Sequence, residues 1–244
     1  MEKDVLMRQI ILVTDGQSNV GGDPVVSASK AFKKNIVVNT IGIVDKQDVN
    51  DQACDEINNI AKAGGGQYEH TFIDHLSYTM QSMTMKTVNQ TIQEAVNSQL
   101  KELIGQELEN MAPPTRSKLL DYVERFSEEV QIDCCILMDC SGSMAKKIDE
   151  ARYSILDLMK SFKARKGKVN LAVVAFPGSG ASNCEVIHHF TDNIAELENR
   201  IYRINAKGGT PTASAIDQAI DLIEAFNGGI NKSGEILEME ECTG

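Results

Sequence analysis

The chain has 244 residues, of which 42% are hydrophobic and 24% charged, a composition typical of a soluble globular protein with one large domain or two small ones. Its formal net charge of −11 argues against a broad nucleic-acid surface, because phosphate binding requires clustered lysine and arginine. No apolar run reaches the ~18 residues of a membrane span, and the first residues lack the pattern of a signal peptide.

The first third of the chain alternates apolar runs with helix-like segments. The predicted elements are strands at 9–14, 36–44 and 68–72 and helices at 24–34 and 48–63. The first two strand runs are continuously apolar, which is typical of strands buried on both faces of a sheet. Asp23 followed by Pro24 is typical of a helix start. Strands that alternate with helices predict a mostly parallel sheet whose two faces are covered.

Between residues 75 and 129 the pattern changes to two helices separated by a Pro-Pro breaker. The first helix, at about 75–104, carries apolar residues at spacings of three and four, among them Val88, Ile92 and Val96. This stripe predicts an amphipathic helix. We interpret it as packing against its own domain, with a seam between two copies of the chain as the alternative. The second helix is predicted at about 116–129.

The alternating pattern resumes after residue 131. The predicted elements are strands at 132–138, 169–176 and 185–190 and helices at 146–162, 194–204 and 213–226. The Gly-rich link 177–183 is too short for a parallel crossover, so the last two strands are predicted to pair antiparallel. Residues 228–244 are rich in glycine and glutamate and predict a disordered acidic tail, with a docking peptide for a neighbouring copy as the alternative.

Hard oxygen donors are concentrated where strands meet helices. Asp139, Ser141 and Ser143 directly follow a strand, at the carboxyl edge of the sheet, where ligands bind in α/β proteins. A carboxylate and two hydroxyls suit Mg²⁺ or Mn²⁺. Alone they are a weak signal, since serines are common helix caps. Thr210 in a Gly-Gly-Thr-Pro loop and Asp15 after the first strand add a third hydroxyl and a second carboxylate.

Together these segments resemble the metal-ion-dependent adhesion site of von Willebrand factor A domains, which also occur as inserted domains of integrins. The resemblance implies that Ser141, Ser143 and Thr210 are hydroxyl ligands of Mg²⁺ or Mn²⁺. It implies that Asp139 and Asp15 act mostly through bound water. The implied fold is a Rossmann-like three-layer α/β sandwich, with a mostly parallel central sheet and one antiparallel edge strand, as in uncharacterised bacterial proteins with this domain.

The order of the segments departs from the family pattern, because the aspartate that comes last in the family is Asp15 here. Two complete copies do not fit, since family domains run to about 180 residues. We therefore predict one circularly permuted domain, with a reciprocal exchange of halves between two chains as the alternative. The predicted parts are residues 1–80 as the second half of the fold, 81–131 as a helical connecting insert on the side opposite the metal, 132–227 as the first half, and 228–244 as the tail.

The resemblance implies a binding module, in which the metal ion accepts a Glu or Asp carboxylate from a partner protein, and we expect no enzymatic activity. One alternative is a metal-dependent phosphoesterase with Asp139 as nucleophile, although such enzymes usually have a second aspartate where Ser141 stands. Another is a structural module with an inactive site. We expect a monomer or weak dimer without nucleic-acid partners. Six cysteines without CxxC spacing indicate reduced thiols and a cytoplasmic location.

Overall fold

The computed structural model describes residues 6–44, 51–180, 182–206 and 208–240, which form helical layers on both faces of a six-stranded sheet. The strands are β1 Leu6–Thr14, β2 Val37–Ile43, β3 Gly65–Thr71, β4 Gln131–Asp139, β5 Val169–Phe176 and β6 Glu185–Thr191. The helices are α1 Pro24–Lys33, α2 Asp51–Ala63, α3 Leu76–Ile104, α4 Pro113–Ser127, α5 Ile148–Phe162, α6 Ile194–Ile201 and α7 Thr212–Glu240. Short 3-10 helices lie at Ile73–His75, Leu108–Asn110 and Gly142–Lys146.

The sheet has the strand order β3-β2-β1-β4-β5-β6. All neighbouring strands are parallel except β5 and β6, which are antiparallel, so the predicted edge arrangement is confirmed. From β1 the chain continues outward to β2 and β3, and from β4 it continues outward to β5 and β6 on the opposite side of the sheet. This reversal of strand order is the position at which open α/β sheets form a ligand-binding crevice at the carboxyl ends of the strands.

Each central strand buries side chains on both faces, because successive residues of a strand point in opposite directions. Ile11 of β1 packs in one core cluster with residues of α3 and α5. Its neighbour Ile10 packs in a second cluster with residues of α1 and α7. The continuously apolar runs of the sequence therefore reflect a sheet covered on both sides. Asp23 caps α1 as predicted, accepting a hydrogen bond from the Val25 amide at 2.9 Å, with Pro24 as the first helical residue.

Helix α3, predicted at about 75–104, spans the predicted boundary at residue 80. It runs unbroken from Leu76 to Ile104, and Met80 and Met83 are both buried in the same cluster. The reason is that the apolar stripe of this helix begins before residue 80 and continues to Ile92 against the sheet. The first half of α3 is therefore a layer of the fold, as the interpretation of packing within one domain requires. Its last turn is exposed, and it is followed by α4.

The last helix extends into the segment that was predicted as a tail. Residues 228–240, predicted as a disordered tail, continue helix α7, while residues 241–244 lie outside the described residues. This segment contains no proline, and each glycine lowers helix stability by only about 1 kcal/mol, so its three glycines need not end the helix. The predicted start of α2 near residue 48 also lies outside the described residues. None of the described helices is both long and apolar enough to cross a bilayer.

Candidate metal centre

The two central strands each deliver a carboxylate to the same edge of the sheet. Strand β1 ends at Thr14 and is followed by Asp15, and β4 ends at Asp139. The two strands are parallel neighbours in register, with Val13 opposite Met138, so their carboxyl ends lie side by side. Residues far apart in sequence therefore meet because the chain returns to the middle of the sheet for β4.

Asp139 is fully buried at this edge. Its Oδ1 accepts a hydrogen bond from the Ser141 amide at 2.7 Å, and its Oδ2 accepts one from the Thr14 hydroxyl at 2.5 Å. Burial raises the pKa of Asp139 to about 6; the Thr14 and Ser141 hydrogen bonds lower it, and the nearby charge of Asp15 raises it. A carboxylate that is ionised at neutral pH in such surroundings gains from a nearby cation.

The hydroxyls connect the two carboxylates. The hydroxyl oxygens of Ser141 and Ser143 are 3.0 Å apart, and the Ser143 hydroxyl donates to Asp15 Oδ1 at 2.6 Å. The short 3-10 helix that starts at Gly142 turns the chain so that both serines face the same point. Four of the five residues singled out in the sequence, Asp139, Ser141, Ser143 and Asp15, thus form one continuous polar chain within a single polypeptide.

Thr210 belongs to a loop that is tied to the same edge by its backbone. The Thr210 amide donates to Asn19 Oδ1 at 2.8 Å, and the Thr210 carbonyl accepts from the Asn19 amide and the Ser18 hydroxyl, both at 3.2 Å. The Gly142 amide donates to the carbonyl of Gly208, which has a φ of +71° that favours glycine. Thr210 itself is buried beside the segment that follows Asp15.

Several residues that shape this edge did not emerge from the sequence. Asn19 joins the Thr210 loop to the segment after Asp15, and Glu56 accepts from the Ser18 amide at 2.7 Å. Burial raises the pKa of Glu56. Lys147 donates to Asp15 Oδ2 at 2.8 Å. The only available signals were an Asn within five residues of Asp15 and a lysine just after the serine motif, and neither is specific.

The donor set fits a hard divalent cation. It combines two carboxylates with neutral hydroxyls, which suits Mg²⁺ or Mn²⁺ better than a thiolate- or imidazole-preferring metal. Among the described residues, no group of three or more His, Cys, Asp or Glu side chains is arranged to hold a metal. Any metal at this edge would therefore depend on the hydroxyls, and partner or water oxygens would have to complete its coordination.

The histidine pair His188 and His189 lies in edge strand β6. His188 is buried in edge strand β6, opposite Val173 of β5, and its Nδ1 lies 2.6 Å from the His189 carbonyl oxygen. Its Nε2 is 3.9 Å from Glu196 Oε2. These contacts assign His188 to the packing of β6 and α6. No described contact joins it to Asp139 or Asp15.

Comparison with known proteins gives a consistent family assignment. Residues 134–234 match the sequence model of the von Willebrand factor type A domain. The chain is 34% identical over 215 residues to the uncharacterised protein YabS of Bacillus subtilis, covering 87% of each chain. It is 42% identical over 59 residues to YwmC of the same organism, covering 24% of each. A crystal structure of an uncharacterised protein from Alicyclobacillus acidocaldarius superposes with a TM-score of 0.85 at 38% identity, covering 92% of this chain and 97% of that one.

Proposed function

Because the chain belongs to the von Willebrand factor type A family, we propose that it is a metal-ion-dependent protein-binding module that grips an acidic residue of a partner protein. The observation that carries the proposal is the 2.6 Å contact between Ser143 and Asp15, which lie just after the two central strands β4 and β1. It joins the hydroxyl and carboxylate donors into one site at the carboxyl edge.

In this proposal, Ser141, Ser143 and Thr210 would hold Mg²⁺ or Mn²⁺ through their hydroxyls, and Asp139 and Asp15 would act mostly through bound water. When bound, the ion supplies an electrophilic position for a Glu or Asp carboxylate. The protein's own groups orient the donors. Thr14 donates a hydrogen bond to Asp139, and Asp15 accepts one from the Ser143 hydroxyl, which leaves a lone pair of the Ser143 oxygen for a metal ion.

A phosphoesterase is the weaker alternative. An aspartate nucleophile needs a free carboxylate oxygen that can approach phosphorus. Both oxygens of Asp139 already accept hydrogen bonds, and the residue is fully buried. These contacts support Asp139 as a residue that positions other groups. A purely structural module with an inactive site is disfavoured by a donor set in which all five positions carry metal-competent oxygens.

The proposal includes a circular permutation of the family fold. It is supported by the site itself, because Asp15 comes early in the chain and contacts Ser143 after the fourth strand of the same polypeptide. It is also supported by the central position of the β1–β4 pair, where Leu6 lies opposite Gln131. An exchange of halves between two chains is not needed to complete the site, so we propose a monomer or a weak dimer.

The cellular setting is part of the same proposal. The described cysteines Cys54, Cys134, Cys135, Cys140 and Cys184 are free thiols, and burial raises the pKa of Cys134 to about 12, which makes it unreactive. Reduced thiols, three of them buried, fit a cytoplasmic bacterial protein. The net charge of −11 does not favour nucleic acid as a partner.

A display library of random peptides tests the proposal directly. The protein is immobilised in Mn²⁺, and bound peptides are eluted with EDTA. We expect the eluted peptides to share an Asp or Glu at one position, and the matching Asn or Gln peptides to lose binding. Asp139→Asn should retain no peptide. Peptides that lack a common acidic residue, or that bind equally in EDTA, would contradict the proposal.

A further inference from the structure

A small cavity with a basic rim lies at the amino edge of the sheet, at the opposite end of the strands from the candidate metal centre. It has a volume of about 240 Å³ and is formed where α5 ends and β5 begins. Its buried lining is mostly apolar, whereas its exposed lining includes three lysines, and we call it the basic pocket. The buried side chains include Met159, Phe162 and Leu171, and the lysines are Lys163, Lys166 and Lys168.

The positive charge of the basic pocket is local, because the chain as a whole has a formal net charge of −11. Lys166 forms an exposed ion pair with Glu129, and Lys168 forms one with a carboxylate of the pocket itself, both at 3.1 Å. This second carboxylate is Asp192, whose pKa is lowered by its hydrogen bond with Lys168 and further by the charge of Lys163. The rim therefore favours carboxylates. Since exposed ion pairs are weak, an incoming carboxylate can replace those already present.

Helix α7 passes the sheet close to this pocket. It begins at Thr212 on the metal side and packs against β4 and β5. Further along the helix, Phe226 stacks on Phe190 of β6, with ring centroids 4.7 Å apart. Phe190 stands two residues before Asp192, which lines the basic pocket. The helix therefore leaves the sheet at the same edge and beside the same strand as the pocket.

The last turns of α7 have the chemistry that complements the basic pocket. Residues 235–240 read Glu-Ile-Leu-Glu-Met-Glu and so combine three glutamates with three apolar residues. The helix is unbroken from Phe226 to Glu240, a distance of about 20 Å at a rise of 1.5 Å per residue. A continuous helix cannot turn back, so this acidic end is carried away from the pocket of its own chain and towards that of another copy.

We propose that the acidic end of α7 binds in the basic pocket of a second copy of the chain, and that the second copy returns the same contact. In this two-fold dimer the glutamates pair with the lysines of the rim, and the apolar residues cover the buried lining. Two copies that each carry a charge of −11 repel one another, so a dimer requires contacts at which opposite charges meet. The proposed pairing supplies two such contacts. It goes beyond the proposed function and does not require the metal ion.

Sedimentation velocity of the full chain tests the inference with two double variants. The pocket variant is Lys163→Glu with Lys168→Glu, and the tail variant is Glu235→Lys with Glu238→Lys. We expect each variant alone to dimerise at least about tenfold more weakly than the wild type, because like charges then meet at the contact.

A matched control reverses two exposed lysines outside the pocket, Lys62→Glu with Lys118→Glu. It changes the net charge as much as the pocket variant does and should dimerise like the wild type. A pocket variant that dimerises as well as this control would overturn the inference.

An equimolar mixture of the pocket and tail variants gives the sharpest result. The unchanged acidic end of the pocket variant meets the unchanged pocket of the tail variant, and the two reversed surfaces also complement each other. We therefore expect heterodimers of nearly wild-type affinity, which would also show that both variants are folded. A mixture that stays monomeric would overturn the inference, as would a wild type that is monomeric at every concentration.

Removal of the metal separates this inference from the proposed function. We expect EDTA and Asp139→Asn to leave the dimer unchanged, because the basic pocket lies at the opposite edge of the sheet. A dimer that is lost in EDTA would overturn the inference, since the acidic end would then act as a ligand of the metal. An intact dimer that binds no acidic peptide in Mn²⁺ would overturn the proposed function and leave this inference standing.

Discussion

Strand β4 carries a buried aspartate near each end, Asp133 at the amino end and Asp139 at the carboxyl end, and the two have different surroundings. Both are fully buried, and burial raises the pKa of each. Asp133 Oδ1 accepts from the side-chain amide of Asn170 at 2.7 Å, and hydrogen bonding with the side chains of Asn170 and Asn227 lowers its pKa against the effect of burial. Asp139 instead lies beside a second carboxylate and two serine hydroxyls.

The difference shows that a buried acid does not by itself mark a binding site. Asn170 is a neutral amide on the neighbouring strand β5, and it can satisfy Asp133 without offering a metal another ligand. Around Asp139 the neighbours are oxygens from three separate segments, and they can converge on a cation. Substitutions at the two ends of β4 can therefore be paired, with the amino end as the control.

The largest expected effect is the loss of metal binding in Asp139→Asn. The substitution keeps an oxygen acceptor for the Ser141 amide but removes one of two negative charges from the site. We expect Mn²⁺ binding to fall below detection in isothermal titration. Asp133→Asn changes the same chemical group on the same strand and should bind Mn²⁺ like the wild type. Equal weakening by both substitutions would mean that metal binding depends on the general charge of β4.

The second effect is a pH-dependent change in stability without metal. For Asp139, an increase in pKa from 3.8 to about 6 means that the folded state binds its proton more tightly than the unfolded state does. Stability therefore falls as pH rises from about 4 to about 6, by about 3 kcal/mol for this group. Asp139→Asn in EDTA should then be more stable than the wild type at pH 7.5, as measured by urea unfolding.

The same titration separates the two ends of the strand. The pKa of Asp133 is also raised, so Asp133→Asn should remove a further part of the pH dependence in EDTA. Saturating Mn²⁺ should reverse the order of wild type and Asp139→Asn, because only the wild type gains binding energy. It should leave the order of wild type and Asp133→Asn unchanged. A wild-type stability that does not fall relative to that of Asp139→Asn between pH 4 and 6 would contradict the assigned direction.

The third effect comes from the hydrogen-bond partners of the two aspartates. Thr14→Val keeps the side-chain shape but removes the donor to Asp139 Oδ2, so we expect about tenfold weaker Mn²⁺ binding, in the range of other supporting residues around metals. Asn170→Ala removes the partner of Asp133 and should cost about 1–3 kcal/mol in unfolding free energy. It should not change Mn²⁺ affinity. A change in affinity with Asn170→Ala would show coupling along β4.

Much of the fold followed from local patterns in the sequence. The apolar runs of the strands, the Asp23 cap and the short link before β6 act over a few residues, and all three predicted their structures. The boundary at residue 80 stays a prediction, and the long helix predicted across it is confirmed, because its apolar stripe continues on both sides of that residue. The acidic tail stays a prediction, and the extension of helix α7 to Glu240 was not predicted, because composition measures the capacity to bury apolar surface, whereas helix continuation depends on backbone hydrogen bonds and the absence of proline.

Only part of the candidate site could be predicted from the sequence. Asp15, Ser141 and Thr210 stand at strand–helix junctions, and their residue types carry a recognisable pattern. Lys147 and Glu56 were missed because their roles arise from contacts across the sheet edge, to Asp15 and to Ser18, that no short-range rule predicts. A lysine four residues after Ser143 ordinarily points to solvent. Its direction is set by where the chain brings Asp15.

The smallest expected effect concerns Glu56, the other acid at this edge. It accepts from the Ser18 amide at 2.7 Å and so holds the segment that joins Asp15 to the Thr210 loop. If Glu56 acts by position alone, Glu56→Gln should change Mn²⁺ affinity less than about twofold, because its amide oxygen still accepts this bond. Glu56→Ala, which removes the acceptor, should weaken binding by about three- to fivefold, equivalent to less than one ordinary hydrogen bond. Isothermal titration of both variants decides between a role of geometry and a role of charge.

If Glu56→Gln and Glu56→Ala weaken binding equally, the negative charge of Glu56 itself contributes to the site. The comparison of the two aspartates of β4 would then have to include Glu56 as a third carboxylate.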